Sequence, residues 1–567
     1  MRCKYDTASW WKTWSGFQIV ATIAMVVLVP LSQAARAQET ASPAQAQQPQ
    51  PGLPLAPLVQ ASAGPVQGLN NHGVYEYLGI PYAQPPVGDL RWQPPQPYSH
   101  WTETREATHF GPTCAQITTL GAFAGPPNSN EDSLYLNIFS PKRSGSEKLA
   151  VLVWIHGGGN FDGESNDYDA SKLASKGDLV VVTLNYRLGL LGWLANPALD
   201  HEGHLFGNYG LMDQQLALKW VQKNIASFGG DPKKVALGGQ SAGSIDASAN
   251  VVSPLAAGLF NRAIFGSVLL DSISLSAGEG LGTAFSNAAG CGSGSAPDVA
   301  GCLRRLSVET ILKLQGTESA NGPYVTTAPI ADGTIVPSQG LFDAFRNGKF
   351  AHMPMMSGFT HDEYSFPIAI NECFSTQPQS PVSEADVRKY VETAYGANAS
   401  KVLAAYPPSS YATPQLALDS LGTGSLICPQ QAVNQTLSSQ VPLYAYEFND
   451  RTAPFFFPEL PDFQSLAYHT ADIQYLFSGW HGGTRGIAHP LNSAQEQLSD
   501  ELVKAWANFA RTGNPNRTGD RPWLRYDASK AQSSFYLSED IPALSLRAAN
   551  QVSEEHQCKL WDGLRQP

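Results

Sequence analysis

The sequence predicts an α/β fold, a large and mostly parallel central sheet flanked by helices on both faces. Three observations carry this. Leu149–Ile155 (LAVLVWI) is a continuous apolar run that ends at glycines, as a buried strand reads. Asp178–Leu184 (DLVVVTL) repeats the signature with three consecutive valines. Between them and a third short run, Val235–Leu237, residues 211–226 place Met212, Leu216 and Trp220 beside Ala217, Val221 and Ile225 at helical spacing. Strand, strand, helix, strand with glycines at the junctions is the grammar of a parallel sheet covered by helices. Beyond residue 245 the periodicity weakens into short helices and long loops.

The chain has 567 residues, 43% hydrophobic and 15% charged, enough apolar content for a large core. Its net charge of −12 leaves no basic surplus to neutralise phosphates, which argues against a nucleic-acid partner.

Residues 1–37 differ from the rest. Arg2, Lys4 and Lys12 precede an apolar run from Gly16 to Leu31, and Ala35-Arg36-Ala37 offers a small-x-small cleavage site. This is the pattern of a secretory signal peptide, with an uncleaved anchor as the alternative. Residues 38–56 are rich in Pro, Ala and Gln and read as a flexible tether. No later run reaches the length of a membrane-spanning helix, so no stable span is expected after signal cleavage. Residues 57–567 are expected to form one catalytic domain. Six cysteines remain after the signal: Cys114, Cys291, Cys302, Cys373, Cys428 and Cys558. An even number in an exported chain points to disulfides and a secreted or periplasmic address, the Ala- and Gln-rich leader favouring a bacterial periplasm.

Residues 239–243 read Gly-Gln-Ser-Ala-Gly, a GxSxG pattern between a strand and a helix. A nucleophile must project from a sharp turn, and the flanking glycines let backbone pack closely around it. His156-Gly157-Gly158-Gly159 follows the strand ending at Ile155. Acyl transfer places negative charge on a carbonyl oxygen, and N–H groups of consecutive glycines can be aimed at it. A phosphate cradle would need Lys-Ser/Thr after its last glycine, whereas Gly163-Glu164-Ser165 stands here. A serine nucleophile also needs a base and an orienting acid, and the fold places them in the order serine, acid, histidine. His352, His361, His469, His481, His489 and His556 all satisfy that order, and spacing does not choose among them. No metal-ligand cluster or dinucleotide fingerprint appears in the sequence, so no cofactor and no metal are expected.

These motifs belong to a longer series: GIPYAQPPVGDLRW (79–92), EDSLYLNIFSP (131–141), WIHGGG (154–159), NYRLGLLGW (185–193), GNYGLMDQQLALKWVQKNIASFGGDP (207–232), GGQSAGS (238–244), WANFARTGNPN (506–516) and HQCKLWD (556–562). Across residues 64–562 the chain resembles the type-B carboxylesterases, the cholinesterase-like branch of the α/β-hydrolases. The resemblance implies a serine esterase acting through an acyl-enzyme on small-molecule esters. Ser241 would be the nucleophile, Glu363 the acid in preference to its neighbour Asp362, and His469 the base. Gly158, Gly159 and Ala242 would form the oxyanion hole. It further implies disulfides Cys291–Cys302 and Cys428–Cys558. Cys114 matches a family cysteine whose partner is replaced here by Ser133, and a bond from Cys114 to Cys373 is the expectation that follows.

The segment between Cys114 and Ser133 is short and has no tryptophan, so the aromatic that binds choline in cholinesterases is missing. Ser267 is followed by Val268-Leu269-Leu270 where the family has glycine. With Phe455-Phe456-Phe457 these residues are either an apolar pocket wall or ordinary core. The expected substrates are apolar or aromatic carboxylic esters. A lipase, an amidase or a xenobiotic-ester hydrolase on the same scaffold, and a non-catalytic binding protein, are the competing readings. Oligomeric state is not written in the sequence.

Overall fold

A computed structural model describes residues 52–565 except 118–126, 316–327, 375–379, 458, 479–488, 518–521, 531–534 and 542. The expected signal peptide, most of the expected tether, His481 and the side chain of Cys373 lie outside the described residues.

Eleven strands form one sheet. They are β1 (Leu69–Asn71), β2 (Val74–Pro81), β3 (Tyr135–Pro141), β4 (Leu149–Ile155), β5 (Val180–Leu184) and β6 (Gly230–Gln240). The series continues with β7 (Arg262–Gly266), β8 (Met355–Thr360), β9 (Leu443–Phe448), β10 (Phe535–Glu539) and β11 (Ser545–Ala548). Their spatial order is β11-β10-β9-β8-β7-β6-β4-β5-β3-β2-β1. Every pairing from β5 through β4 and β6 to β10 is parallel. The pairings at both edges are antiparallel. The sheet is therefore parallel where it is buried on both sides, as the apolar runs predict.

Alternate residues of β4 enter different cores. Val151, Val153 and Ile155 face one, with α1 (Tyr209–Asn224), α2 (Ala242–Val252) and α3 (Pro414–Ser438). Ala150, Leu152 and Trp154 face the other, with α4 (Ser493–Thr512). Each fully buried Val, Leu or Ile contributes about 1.5–3 kcal/mol. Helix α4 shows its ends in sequence: Asn492 and Gln495 form a capping box, and Gly513 closes it at φ 77°.

Sequence periodicity missed much of the second half for visible reasons. β8 (MMSGFT) interrupts its apolar run with Ser and Gly, and β9 (LYAYEF) carries a glutamate, Glu447, that is wholly buried. Helix α3 spans 25 residues and buries most of its circumference, including Gly422, Gly424 and Pro429, so it shows no polar face.

Cys291–Cys302 and Cys428–Cys558 are bonded, with Cα separations of 5.6 and 5.2 Å. The expected bond from Cys114 to Cys373 is a correction. Cys114 is a free, buried thiol whose Sγ stands 2.8 Å from Ser133 Oγ. The serine fills the place of the missing sulfur, and burial pushes the thiol up to about 12.

Candidate active site

The working ends of β4, β6, β7 and β8 are level. Ile155 pairs with Gly239, and Gly266 pairs with both Gln240 and Gly358. The loops leaving these carboxyl ends therefore meet in one place, where open parallel sheets bind ligands.

Ser241 joins β6 to α2 at φ 58°, ψ −127°, a conformation that costs a non-glycine residue about 1–3 kcal/mol. Its amide donates to Gly266 O (2.9 Å), and its carbonyl accepts from Ser244 N (2.9 Å), fixing the turn on both sides. The flanking glycines are steric requirements. A Cβ on Gly239 would lie 2.2 Å from Gly243 O, and one on Gly243 would lie 2.1 Å from Ile155 O. Ser241 is thus aimed by the crossing of β4, β6 and the first turn of α2. Ala242 opens that helix, so helix geometry gives its amide no internal partner.

The glycine run packs on the same turn. A Cβ on Gly157 would lie 2.9 Å from Ser241 Cβ, and Gly158 and Gly159 adopt φ 111° and 61°. His156 is buried against Tyr186 at a ring distance of 4.5 Å, and its Nδ1 lies 2.8 Å from Gly157 O. Burial lowers this histidine to about 4, so it is neutral and braces the loop without charge.

The residues expected as acid and base come from turns far apart in sequence. His361-Asp362-Glu363 leaves β8, and His469 lies in the connection after β9. An isolated parallel bridge pairs Asp362 with Tyr468, and Asp362 N donates to Ala467 O at 3.0 Å. The next residue of each turn, Glu363 and His469, consequently lie side by side. Glu363 is fully buried. Its Oε1 accepts from Thr360 N (2.8 Å), and its Oε2 pairs with His469 Nδ1. The other imidazole nitrogen, Nε2, lies 3.2 Å from the Gln240 side-chain amide, immediately before Ser241.

Asp362 points elsewhere. Its carboxylate takes two hydrogen bonds from Arg451 (2.8 and 3.0 Å) and one from Ala467 N (3.1 Å). Burial alone would raise this carboxyl, but His361 and Arg451 hold it below its ordinary range. The remaining described histidine candidates lie apart from Ser241's turn. His352 stacks on Phe350, His489 is exposed, and His361 and His556 belong to an ion-pair cluster behind the acid turn.

Several contributors escaped sequence reasoning. Gln240 lies inside the GGQSAGS motif yet carries no separate signal, and Asp472 and Arg451 lie outside every motif. Asp472 is buried near Glu363 and His469. Burial first, and then the charge of Glu363, raise it to about 7. The suspected pocket walls are largely core: Val268, Leu269, Leu270, Phe456 and Phe457 are buried, and only Phe455 is half-exposed, against Phe463. Among the described residues, the aromatic ring beside the imidazole is Phe366, 5.6 Å away and 6.0 Å from Phe457.

A strained serine at a strand–helix turn, a glycine loop against it and a buried glutamate–histidine pair are the parts that a serine ester hydrolase on an α/β-hydrolase sheet requires. The Carboxylesterase family matches residues 55–561, and the chain belongs to that family. It is 33% identical over 499 residues to cocaine esterase of Oryctolagus cuniculus, covering 83% of this chain and 90% of that protein. It is 34% identical over 504 residues to fumonisin B1 esterase of Sphingopyxis macrogoltabida (86% and 87% covered). With para-nitrobenzyl esterase of Bacillus subtilis (strain 168) the identity is 32% over 491 residues (85% and 95%). Among solved structures, a thermophilic PNB esterase superposes with a TM-score of 0.72 at 29% identity, covering 88% of this chain and 99% of that one. The protein is a carboxylesterase acting on small-molecule esters.

Proposed function

We propose that Ser241, His469 and Glu363 form the catalytic triad, with Gly158, Gly159 and Ala242 as oxyanion donors. The observation that carries this is the Asp362–Tyr468 bridge, beside which Glu363 meets an imidazole whose other nitrogen lies against Gln240, the residue before the serine. Ser241 Oγ attacks the ester carbonyl carbon while its proton passes to His469 Nε2. The carbonyl oxygen becomes an oxyanion held by the three backbone N–H groups, each worth about 2.7–4 kcal/mol of barrier. Collapse expels the alcohol, which takes the proton back from His469, and water repeats the sequence to release the acid. Reaching Ser241 requires Nε2 to exchange its Gln240 contact for the hydroxyl. Such hydrogen bonds commonly tighten only when substrate is bound.

The catalytic unit runs from residue 57 to 567 after a cleaved leader, and the protein is exported to the periplasm or medium. Two disulfides support that address, and no described helix is long and apolar enough to cross a membrane. Phe366 beside the imidazole supports apolar or aromatic esters as substrates. The test is turnover of p-nitrophenyl acetate through octanoate and of an aromatic ester. Phe366→Ala is expected to raise KM for the aromatic ester more than for acetate, and equal changes would remove Phe366 from the pocket. Emulsified long-chain triglyceride should give no interfacial activation, and activation would move the assignment to lipase.

A further inference from the structure

Behind the acid turn lies a second group of ligating side chains that the reaction does not use. His361 follows β8. Glu555 and His556 lie where α5 (Ala549–Glu555) gives way to α6 (Cys558–Arg565). One ligating atom of each lies within 4.8 Å of the other two. His361 Nε2 is 3.0 Å from Glu555 Oε1, and His556 Nε2 is 3.5 Å from Glu447 Oε1.

Two features distinguish this group from an ordinary surface ion pair. Arg547 binds Glu447 and Glu555 through their Oε2 atoms only, so both carboxylates are oriented from behind and turn Oε1 toward the histidines. In addition, His556 Nε2 and Glu447 Oε1 are deeply buried and face each other as an ion pair at 3.5 Å, without a hydrogen bond of normal geometry to any described group. Buried polar atoms left this way are rare in native proteins.

We propose that His361, Glu555 and His556, with Glu447 within reach, bind one divalent transition-metal ion of the zinc class. Imidazole nitrogen and carboxylate oxygen are zinc's ordinary ligands, and Arg547 supplies the orienting contact such ligands normally have. Coordination forms bonds from the two imidazole lone pairs and the carboxylate oxygens, and any proton on the ligating nitrogens leaves to solvent. Glu555, about two-fifths exposed, gives the ion its way in. The ion would tie the C-terminal segment, already held by Cys428–Cys558, to the turn carrying Glu363. Sequence spacing hides the set because His361 lies 194 residues before Glu555.

The test uses the whole mature enzyme, freed of metal by chelator and dialysis. It is titrated with Zn²⁺ by calorimetry and with Co²⁺ by visible absorption, where few-coordinate nitrogen and oxygen ligation gives intense bands. The expected result is one saturable equivalent, weakened at least about tenfold in both Glu555→Gln and His361→Asn. His352→Ala, a change at an exposed histidine, should leave binding intact. Glu555 is at the surface, so its variant should fold even where a His556 variant does not. No saturation by about 1 mM Zn²⁺, or affinity unchanged in Glu555→Gln and His361→Asn, would overturn the proposal.

Discussion

The turns after β6 and β8 both deliver a residue to the same site, with only β7 between their strands, yet different physics holds them. The serine turn is fixed by backbone contact: glycines at 239 and 243 let two strands and a helix meet where a methyl group would collide. The acid turn is fixed by charge and pairing. One bridge runs from Asp362 to Tyr468, Arg451 holds Asp362, and a cluster reaching to Glu555 lies behind. Steric fixation turns on glycines two positions either side of the serine, whereas charge fixation recruits partners 89 to 194 positions away that no motif marks. The first should fail abruptly on small changes, the second in graded steps.

Ser241→Ala removes the group both turns serve, and kcat on p-nitrophenyl butyrate should fall by on the order of 10⁶ with the fold intact by circular dichroism. Glu363→Gln should cost on the order of 10⁴ in kcat, since an amide cannot hold the imidazolium. Its neighbour is the contrast. Asp362→Asn should keep activity within about tenfold while lowering stability by about 1.5–3 kcal/mol in urea denaturation, the loss of hydrogen bonds to a charged group. If the two variants behaved alike, the division of labour between these carboxylates would be wrong.

The Cys428–Cys558 bond encloses a loop of 130 residues and Cys291–Cys302 one of 11. Serine at both positions of the long link should cost up to about 5 kcal/mol, and at the short one about 3 kcal/mol, read as shifts in urea midpoint. Gly243→Ala should lower stability by about 1–3 kcal/mol and reduce activity disproportionately, because the Cβ displaces Ile155 and the glycine loop together.

Asp472 gives the pH test. Its folded pKa of about 7 lies above the ordinary carboxyl range, so the native state binds more protons than the unfolded chain between about pH 4 and pH 7. The stability this group contributes is present below that window and is lost as pH rises through it. Asp472→Asn should therefore gain in Tm over wild type at pH 8 by more than at pH 4.5. An equal difference at both values would show that Asp472 does not titrate in this range.

The centre of the sheet and the serine turn were legible in the sequence because β4 and β5 are uninterrupted apolar runs, β6 carries Val235–Leu237, α1 keeps helical spacing, and the glycines stand beside the serine. The acid and base were not legible from spacing. Six histidines fitted the order, and only resemblance chose His469. The bridge that brings it beside Glu363 joins two irregular loops with no periodicity. Asn434-Gln435-Thr436 matches the Asn-x-Thr pattern of a glycosylation sequon, yet Asn434 is fully buried inside α3, a fact the pattern does not convey. Cys114 taught the opposite lesson, since counting cysteines suggested a bond where a serine hydroxyl completes the contact.

The most direct test of the two-turn account is labelling with a serine-reactive fluorophosphonate, followed by peptide mapping in wild type, Glu363→Gln and Asp362→Asn. The account predicts a single stoichiometric adduct on Ser241, formed far more slowly in Glu363→Gln and at close to the wild-type rate in Asp362→Asn. An adduct on another serine, or equal labelling rates in Glu363→Gln and wild type, would contradict it.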